Sequence, residues 1–145
     1  MYKNILIPTD GSELSDKAIR HGVALAKALN AKVTAVTVSA PFHVFALDPG
    51  MVTDTPESYA KHAAETAAKH LGAVKDAAAR AAVACDAIRV EHEQPYKAII
   101  DTANNRGCDA IVMASHGRRG VSAIVLGSET VKVLTHSTTP VLVYR

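Results

Sequence analysis

The stretch Met113-Ala-Ser-His-Gly-Arg-Arg-Gly-Val-Ser-Ala-Ile-Val-Leu-Gly-Ser128 decides the reading of this chain. A hydrophobic run from Ala110 to Met113 ends abruptly in Ser115, His116 and Gly117. Arg118, Arg119 and Gly120 follow, then a short apolar segment, and Gly127-Ser128 opens a helical pattern. The expected order is a strand, a basic loop and a helix start, with Ser128 as the cap. Backbone N–H groups at a helix start attract anions, and glycines let a phosphate come close to the backbone. Two readings stand at this point: the phosphate-binding part of a nucleotide site, or a connecting loop with a solvated arginine pair and a capped helix.

Outward from this stretch, strand and helix patterns alternate. Asn4 to Pro8 is a continuous apolar run, as expected of a strand covered on both faces. Thr9-Asp10-Gly11-Ser12 breaks it, and Ser12 caps a helix with Leu14, Ala18, Gly22, Leu25 and Leu29 on its inner face. That helix ends near Asn30, and Lys32 to Ser39 is the second strand. Ala40 to Asp54 shows no periodicity and reads as a loop, long for a compact domain. Thr55-Pro56-Glu57 starts a helix running to Val83, about 40 Å at 1.5 Å per residue, so one end is expected to overhang the sheet. Its inner stripe is Ala60, Ala63, Ala67, Leu71, Val74, Ala78 and Ala81, and Gly72 marks a candidate bend. Ala87 to His92 is a more polar third strand, expected near an edge. Pro95 begins a helix with Ile99, Ile100 and Ala103 inward, closed by Gly107. Asp109 to Ala114 is the fourth strand, Ser128 to about Thr135 the last helix, and Pro140 to Arg145 the fifth strand.

Strand–helix alternation without a tight hairpin signal implies a parallel sheet with helices on both faces. Ligands bind such sheets at the carboxyl ends of the strands, where the winding reverses. Asp10 and the Ser115–Gly117 turn both lie at such ends, although sequence does not make strands one and four neighbours.

Composition bounds the function. The 145 residues are expected to form one domain, 1–145, with a core of Val, Ile, Leu and Ala. A formal net charge of +2 is too small to imply nucleic-acid binding, and no apolar run is long enough to span a membrane. No secretory signal pattern opens the chain, and Cys85 and Cys108 form no CxxC; two buried thiols in a cytoplasmic protein are expected. No Walker-type G-x-x-x-x-G-K-[ST] is present, and the first strand leads into Asp10-Gly11-Ser12 rather than G-x-G-x-x-G. Asp10 could bind a ribose or adenine edge, help hold a metal through water, or simply fill a turn. His116 reads as a residue that packs on or hydrogen-bonds a ligand. No nearby carboxylate or cysteine makes it part of a triad, so no catalytic residue is assigned.

These residues carry a specific resemblance. Ile5-Leu-Ile-Pro-Thr-Asp-Gly-Ser12, Asp109-Ala-Ile-Val-Met-Ala-Ser-His-Gly117 and Pro140-Val-Leu-Val143 together resemble the universal stress proteins of the small, ATP-binding kind. That family's pattern is G-x2-G-x9-G-[ST]; here Gly117, nine residues and Gly127-Ser128 match its later parts, while Ala114 stands at the first glycine. The resemblance implies a Rossmann-like open sheet of five parallel strands in the order 3-2-1-4-5. It implies adenine contacts near Pro8, Thr9, Asp10 and Val38. It implies ribose or phosphate contacts along Met113, Ala114, His116 and Gly117, and along Gly127, Ser128, Glu129 and Thr130, with Arg118 and Arg119 beside them. The implied ligand is ATP, or AMP or ADP, with Mg²⁺, and the implied assembly is a homodimer through Val141–Tyr144. Three functions remain open on sequence: a nucleotide-dependent regulatory module of the stress response, a slow ATPase or phosphotransfer enzyme, and a dimeric interaction module that binds no nucleotide.

Overall fold

The computed structural model describes residues 1–42, 55–118 and 125–145. The elements are β1 (Asn4–Pro8), α1 (Glu13–Leu29), β2 (Lys32–Ser39), α2 (Pro56–Arg80), β3 (Cys85–Glu91), α3 (Pro95–Asn105), β4 (Ala110–Ala114), α4 (Ser128–His136) and β5 (Val141–Tyr144). All strand pairs are parallel and the order is β3-β2-β1-β4-β5, as the resemblance implied. Hence β1 and β4 are neighbours, with Ile5 opposite Ala110 and Leu6 opposite Ile111. The winding reverses between them, because the chain first runs outward through β2 and β3 and then restarts at β4. β3 lies at an edge, and its side chains are only partly covered.

Side-chain alternation along the strands builds two cores. On one face Ile5, Ile7, Val33, Ala35 and Val112 pack with Ile19 and Val23 of α1 and Leu71, Val74 and Ala78 of α2. On the other face Leu6, Val36, Ile111 and Met113 pack with Ile99 and Ala103 of α3 and Val133 of α4. Each residue of β1 from Asn4 to Ile7 is therefore buried.

Caps set the helix ends. Ser12 and Thr55 accept hydrogen bonds from Ser15 N–H and Ser58 N–H, as expected of N-caps. Asn30 ends α1 in the left-handed region at φ 53°, and Gly107 at φ 61° turns the chain out of α3.

Several inner faces differ from expectation. α1 buries Ser15, Ala18, Ile19, Gly22, Val23 and Ala26, whereas Leu14, Leu25 and Leu29 lie at the margin. Small residues face the sheet because the helix lies close to it: a Cβ on Gly22 would stand 2.7 Å from Ile7 Cδ1. In α3 it is Ala98, Ile99, Thr102 and Ala103 that are buried, with Ile100 beside them. α2 buries only Ala67, Leu71, Val74 and Ala78, so its first half projects beyond the sheet, leaving Ala60 exposed and Ala63 half-buried. It ends at Arg80 rather than Val83, and β3 begins at Cys85 rather than Ala87. α2 continues through Gly72 without interruption. Cys108 is buried but Cys85, on the edge strand, is half-exposed, correcting the expectation of two buried thiols. Most of the Ala40–Asp54 loop lies outside the described residues.

The two helical glycines make opposite predictions. A Cβ at Gly72 meets nothing within 4 Å, so Gly72→Ala should raise stability by about 0.5–1 kcal/mol through helix propensity. Gly22→Val should lower it by more than about 1 kcal/mol through overpacking against Ile7 and Val112. Urea unfolding of both variants checks the pair.

Candidate functional site

The site begins with one carboxylate at the end of β1. Asp10 Oδ1 accepts a hydrogen bond from Ser12 N–H at 3.0 Å, closing a tight turn with Gly11 at φ 74°. Asp10 Oδ2 accepts one from Arg118 N–H at 2.8 Å, which ties the β1 loop to the β4 loop across the switch point. Burial raises the Asp10 pKa, but the Ser12 hydroxyl, the two N–H donors and the nearby Arg118 guanidinium more than offset this. The carboxyl therefore titrates below its usual range. A Cβ on Gly117 would collide with Asp10 Oδ2. Gly117 is thus demanded by the carboxylate beside it, a reason independent of any phosphate.

The second part is the start of α4. Gly127 is its N-cap, and Ser128 is the first helical residue, exposed and without a capping hydrogen bond, which corrects the expected Ser128 cap. The reason is local: Gly127 N–H donates to Ser115 O at 2.8 Å, and a Cβ there would stand 2.9 Å from His116 Cα. The chain must turn where a glycine can touch the β4 loop. The helical ladder starts with Val131 N–H to Gly127 O, so the N–H groups of Ser128, Glu129 and Thr130 precede it and point out of the helix start.

The remaining expected residues divide by what their side chains already do. Thr9 is buried; its hydroxyl meets Ser15 Oγ at 3.1 Å, and its carbonyl accepts from Thr37 Oγ1 at 2.8 Å. Pro8 is half-buried at the end of β1. Val38 is partly buried near the end of β2, against the α3–α4 core. Met113 and Ala114 are buried, so the Ala114 methyl is covered by protein. Ala114 O accepts from the buried Thr130 hydroxyl at 3.0 Å, which fixes α4 to β4. Glu129 spans to another helix: Oε2 accepts from Tyr96 N–H at 2.8 Å and Oε1 from Lys132 Nζ at 3.0 Å. It supplies the cap that Gln94 does not give α3. His116 is half-buried, with Nδ1 at 3.2 Å from Ser115 Oγ. Arg118 is exposed, while Arg119 and Gly120 lie outside the described residues. An open cleft of about 580 Å³ runs beside the site between α1 and the β4 loop, lined by Glu13, Lys17, His116, Gly117, Arg118 and Arg145 among others. It takes in the Asp10-side turn but not Val38 or the start of α4.

His70 is a residue that sequence reasoning passed over. It comes from α2, and its ring covers Gly11 so closely that a Cβ there would overlap it. Its Nδ1 lies 3.5 Å from Thr37 Oγ1. The Thr37 proton goes to Thr9 O, so Thr37 Oγ1 offers the His70 ring an acceptor. Burial and the Arg118 charge lower the His70 pKa, against an opposing pull from Asp10. Only the helical phase of α2 could have signalled it, since His70 adjoins the buried Leu71.

A parallel, doubly wound sheet with two loops and a helix start converging at its switch point defines the class of α/β ligand-binding folds. Residues 1–145 match the sequence profile of the Universal stress protein family, and the chain belongs to that family. A relative is Universal stress protein MJ0531 of Methanocaldococcus jannaschii, 31% identical over 145 residues, covering 100% of this chain and 83% of that protein. Among solved structures, hypothetical protein MJ0577 superposes with a TM-score of 0.82 at 29% identity, covering 99% of this chain and 96% of that one. A universal stress protein in complex with cAMP superposes at a TM-score of 0.73 and 25% identity, covering 99% and 97%.

Acid should unfold the protein through these two groups. The lowered His70 pKa means its stabilising contribution is full above about pH 6.5 and is lost as pH falls through the lower folded value. The lowered Asp10 pKa places its contribution above about pH 3.9, lost as pH falls further. Urea midpoints at pH 7.5, 5 and 3 should show His70→Asn flattening the first decline and Asp10→Asn the second. Gly11→Ala should destabilise by more than about 1 kcal/mol at every pH, from its left-handed backbone and the His70 ring.

Proposed function

We propose that this protein is a regulatory adenine-nucleotide-binding module of the stress response, acting as one domain over residues 1–145. The observation that carries the reading is the Asp10–Arg118 hydrogen bond, which brings the β1 and β4 loops together at the switch point beside the open N–H groups of α4. The base lies over Pro8, Thr9, Asp10 and Val38, and the ribose along the backbone of Met113, Ala114, His116 and Gly117. The phosphates meet Gly127 and the N–H groups of Ser128, Glu129 and Thr130, with Arg118 and Arg119 supplying charge. Met113, Glu129 and Thr130 contribute backbone rather than side chain, since their side chains are buried or engaged. The relative solved with cAMP supports an adenine nucleotide as the class of ligand. The reading takes ATP, ADP or AMP as the ligand. Both Asp10 oxygens already accept N–H groups, so an accompanying Mg²⁺ would be held by phosphates and water. Among the described residues the His116 ring has the neighbouring Ser115 hydroxyl as its hydrogen-bond partner, which favours binding over turnover.

The module acts as a homodimer. β5 is an edge strand, and Leu142 on it is 51% exposed, with Val131 and Leu134 of α4 exposed nearby in sequence. An apolar edge of this kind is satisfied by its symmetry mate. The two free cysteines suit a reducing cytoplasm. No helix among the described residues is long and apolar enough to cross a membrane.

ATP or AMP should raise the melting temperature and give a saturable calorimetric signal. Ser128→Ala should weaken affinity while leaving the urea midpoint within about 0.5 kcal/mol of the parent, because Ser128 caps nothing. No thermal shift at millimolar ATP and AMP, with calorimetry also silent, would reject the nucleotide reading. Leu142→Asp should convert the dimer to monomer in sedimentation, and an unaltered dimer would reject this interface.

A further inference from the structure

The second groove of the molecule lies between α1 and α2, and it shares no lining residue with the cleft beside the candidate site. It has a volume of about 340 Å³. Val23, Ala24, Ala77 and Ala81 form its apolar surface, and Arg20, Lys27 and Arg80 form its rim. No carboxylate is among these residues. Asp16 and Asp76 stand one helical turn before Arg20 and Arg80, the spacing that favours an ion pair, yet neither pair closes to bonding distance. All three rim cations are exposed, and none has an ion-pair or hydrogen-bond partner among the described residues. Alanine lines the groove where longer side chains would fill it.

The rim has a definite period. Arg20, Val23, Ala24 and Lys27 occupy positions i, i+3, i+4 and i+7 of α1. This sets two exposed cations two helical turns apart, about 10 Å at 1.5 Å per residue, with exposed Ala24 between them and buried Val23 at the floor. A helix laid along the groove repeats at the same spacing, so acids at its positions i and i+7 meet the two cations. Its i+3 and i+4 side chains then rest on the alanines, which allow a close backbone approach. Arg80 lines the other wall and adds a third positive charge. Helix-in-groove docking with anchors at this spacing is an established recognition mode, and opposite charge around an apolar centre sets orientation and on-rate.

The geometry points to the α1–α2 groove as a docking surface for an acidic amphipathic helix of a partner protein, with carboxylates two turns apart flanking aliphatic residues. This surface lies apart from the candidate nucleotide site and does not depend on it. It gives a regulatory domain a place to engage a partner while the cleft at the strand ends stays open.

The test uses the full chain and two synthetic helical peptides. One carries Glu at i and i+7 with Leu at i+3 and i+4; the other replaces both Glu by Lys. Fluorescence anisotropy should give saturable binding of the Glu peptide and at least tenfold weaker binding of the Lys peptide. Raising salt from 0.05 to 0.3 M should weaken the Glu peptide several-fold. Amide shifts should cluster at residues 20–27 and 77–81. Arg20→Glu combined with Arg80→Glu should reduce affinity at least tenfold with unchanged circular dichroism and melting temperature, since both side chains are exposed. Lys61→Glu, on the projecting half of α2, should leave affinity unchanged. Absence of saturable binding at 0.5 mM peptide would overturn the proposal, as would equal binding of the Lys peptide or full affinity in the double variant. Binding to anionic vesicles with none to the Glu peptide would overturn it in favour of a lipid surface.

Discussion

The fold converges on one carboxylate. Asp10 stands where β1 ends, and its two oxygens hold two backbone N–H groups that belong to different halves of the sheet. Through Ser12 it shapes the turn that starts α1, and through Arg118 it fastens the loop leaving β4. A charge-assisted hydrogen bond of this kind is worth roughly twice a neutral one. Its effect here is positional more than energetic. Parallel strands have no hairpin to join them, so neighbouring strands from distant sequence leave their outgoing loops independent. The Asp10–Arg118 bond removes that independence at the switch point, where a ligand site of this fold must be assembled.

The same constraint explains the glycines. Read as sequence, Gly117 and Gly127 look like space left for a phosphate. In the structure each already has a protein neighbour. Asp10 Oδ2 occupies the place of a Gly117 side chain, and the His116 backbone that of a Gly127 side chain. A glycine pattern can therefore arise from loop packing, and it is compatible with a ligand only because the same close packing leaves backbone N–H groups facing outward. That is why the nucleotide proposal rests on the Asp10–Arg118 bond beside the α4 start rather than on the glycine spacing.

Most of the architecture was legible because its signals are local. β1 and β2 follow from uninterrupted apolar runs, and Ser12, Thr55, Asn30 and Gly107 mark helix ends by chemistry that needs no partner. What failed to show was set by tertiary contact. The inner face of α1 is its small side because the helix lies so near the sheet that a Cβ at position 22 would press on Ile7 Cδ1 at 2.7 Å. Larger leucines at the margin look more hydrophobic in sequence yet pack less deeply. Ser128 looked like a cap, but the cap position is fixed one residue earlier by a hydrogen bond to Ser115, 12 residues back along the chain. His70 was invisible for the same reason: its importance comes from Gly11 and Thr37, which are remote in sequence.

His70 also links two things the sequence kept separate. It belongs to the helix that follows the long Ala40–Asp54 stretch, and its ring rests on the turn whose carboxylate clamps the β4 loop. Its Nδ1 lies beside Thr37 Oγ1, whose proton goes to the Thr9 carbonyl. Burial and the Arg118 charge both favour the neutral ring. Protonation of His70 would place a cation against a turn already held beside Arg118, with Asp10 and Asp16 as near counter-charges. Asp10 cannot turn toward that cation without weakening its hold on Ser12 and Arg118. His70 thus joins α2 to the turn at the switch point through Gly11 and Thr37, two residues remote from it in sequence.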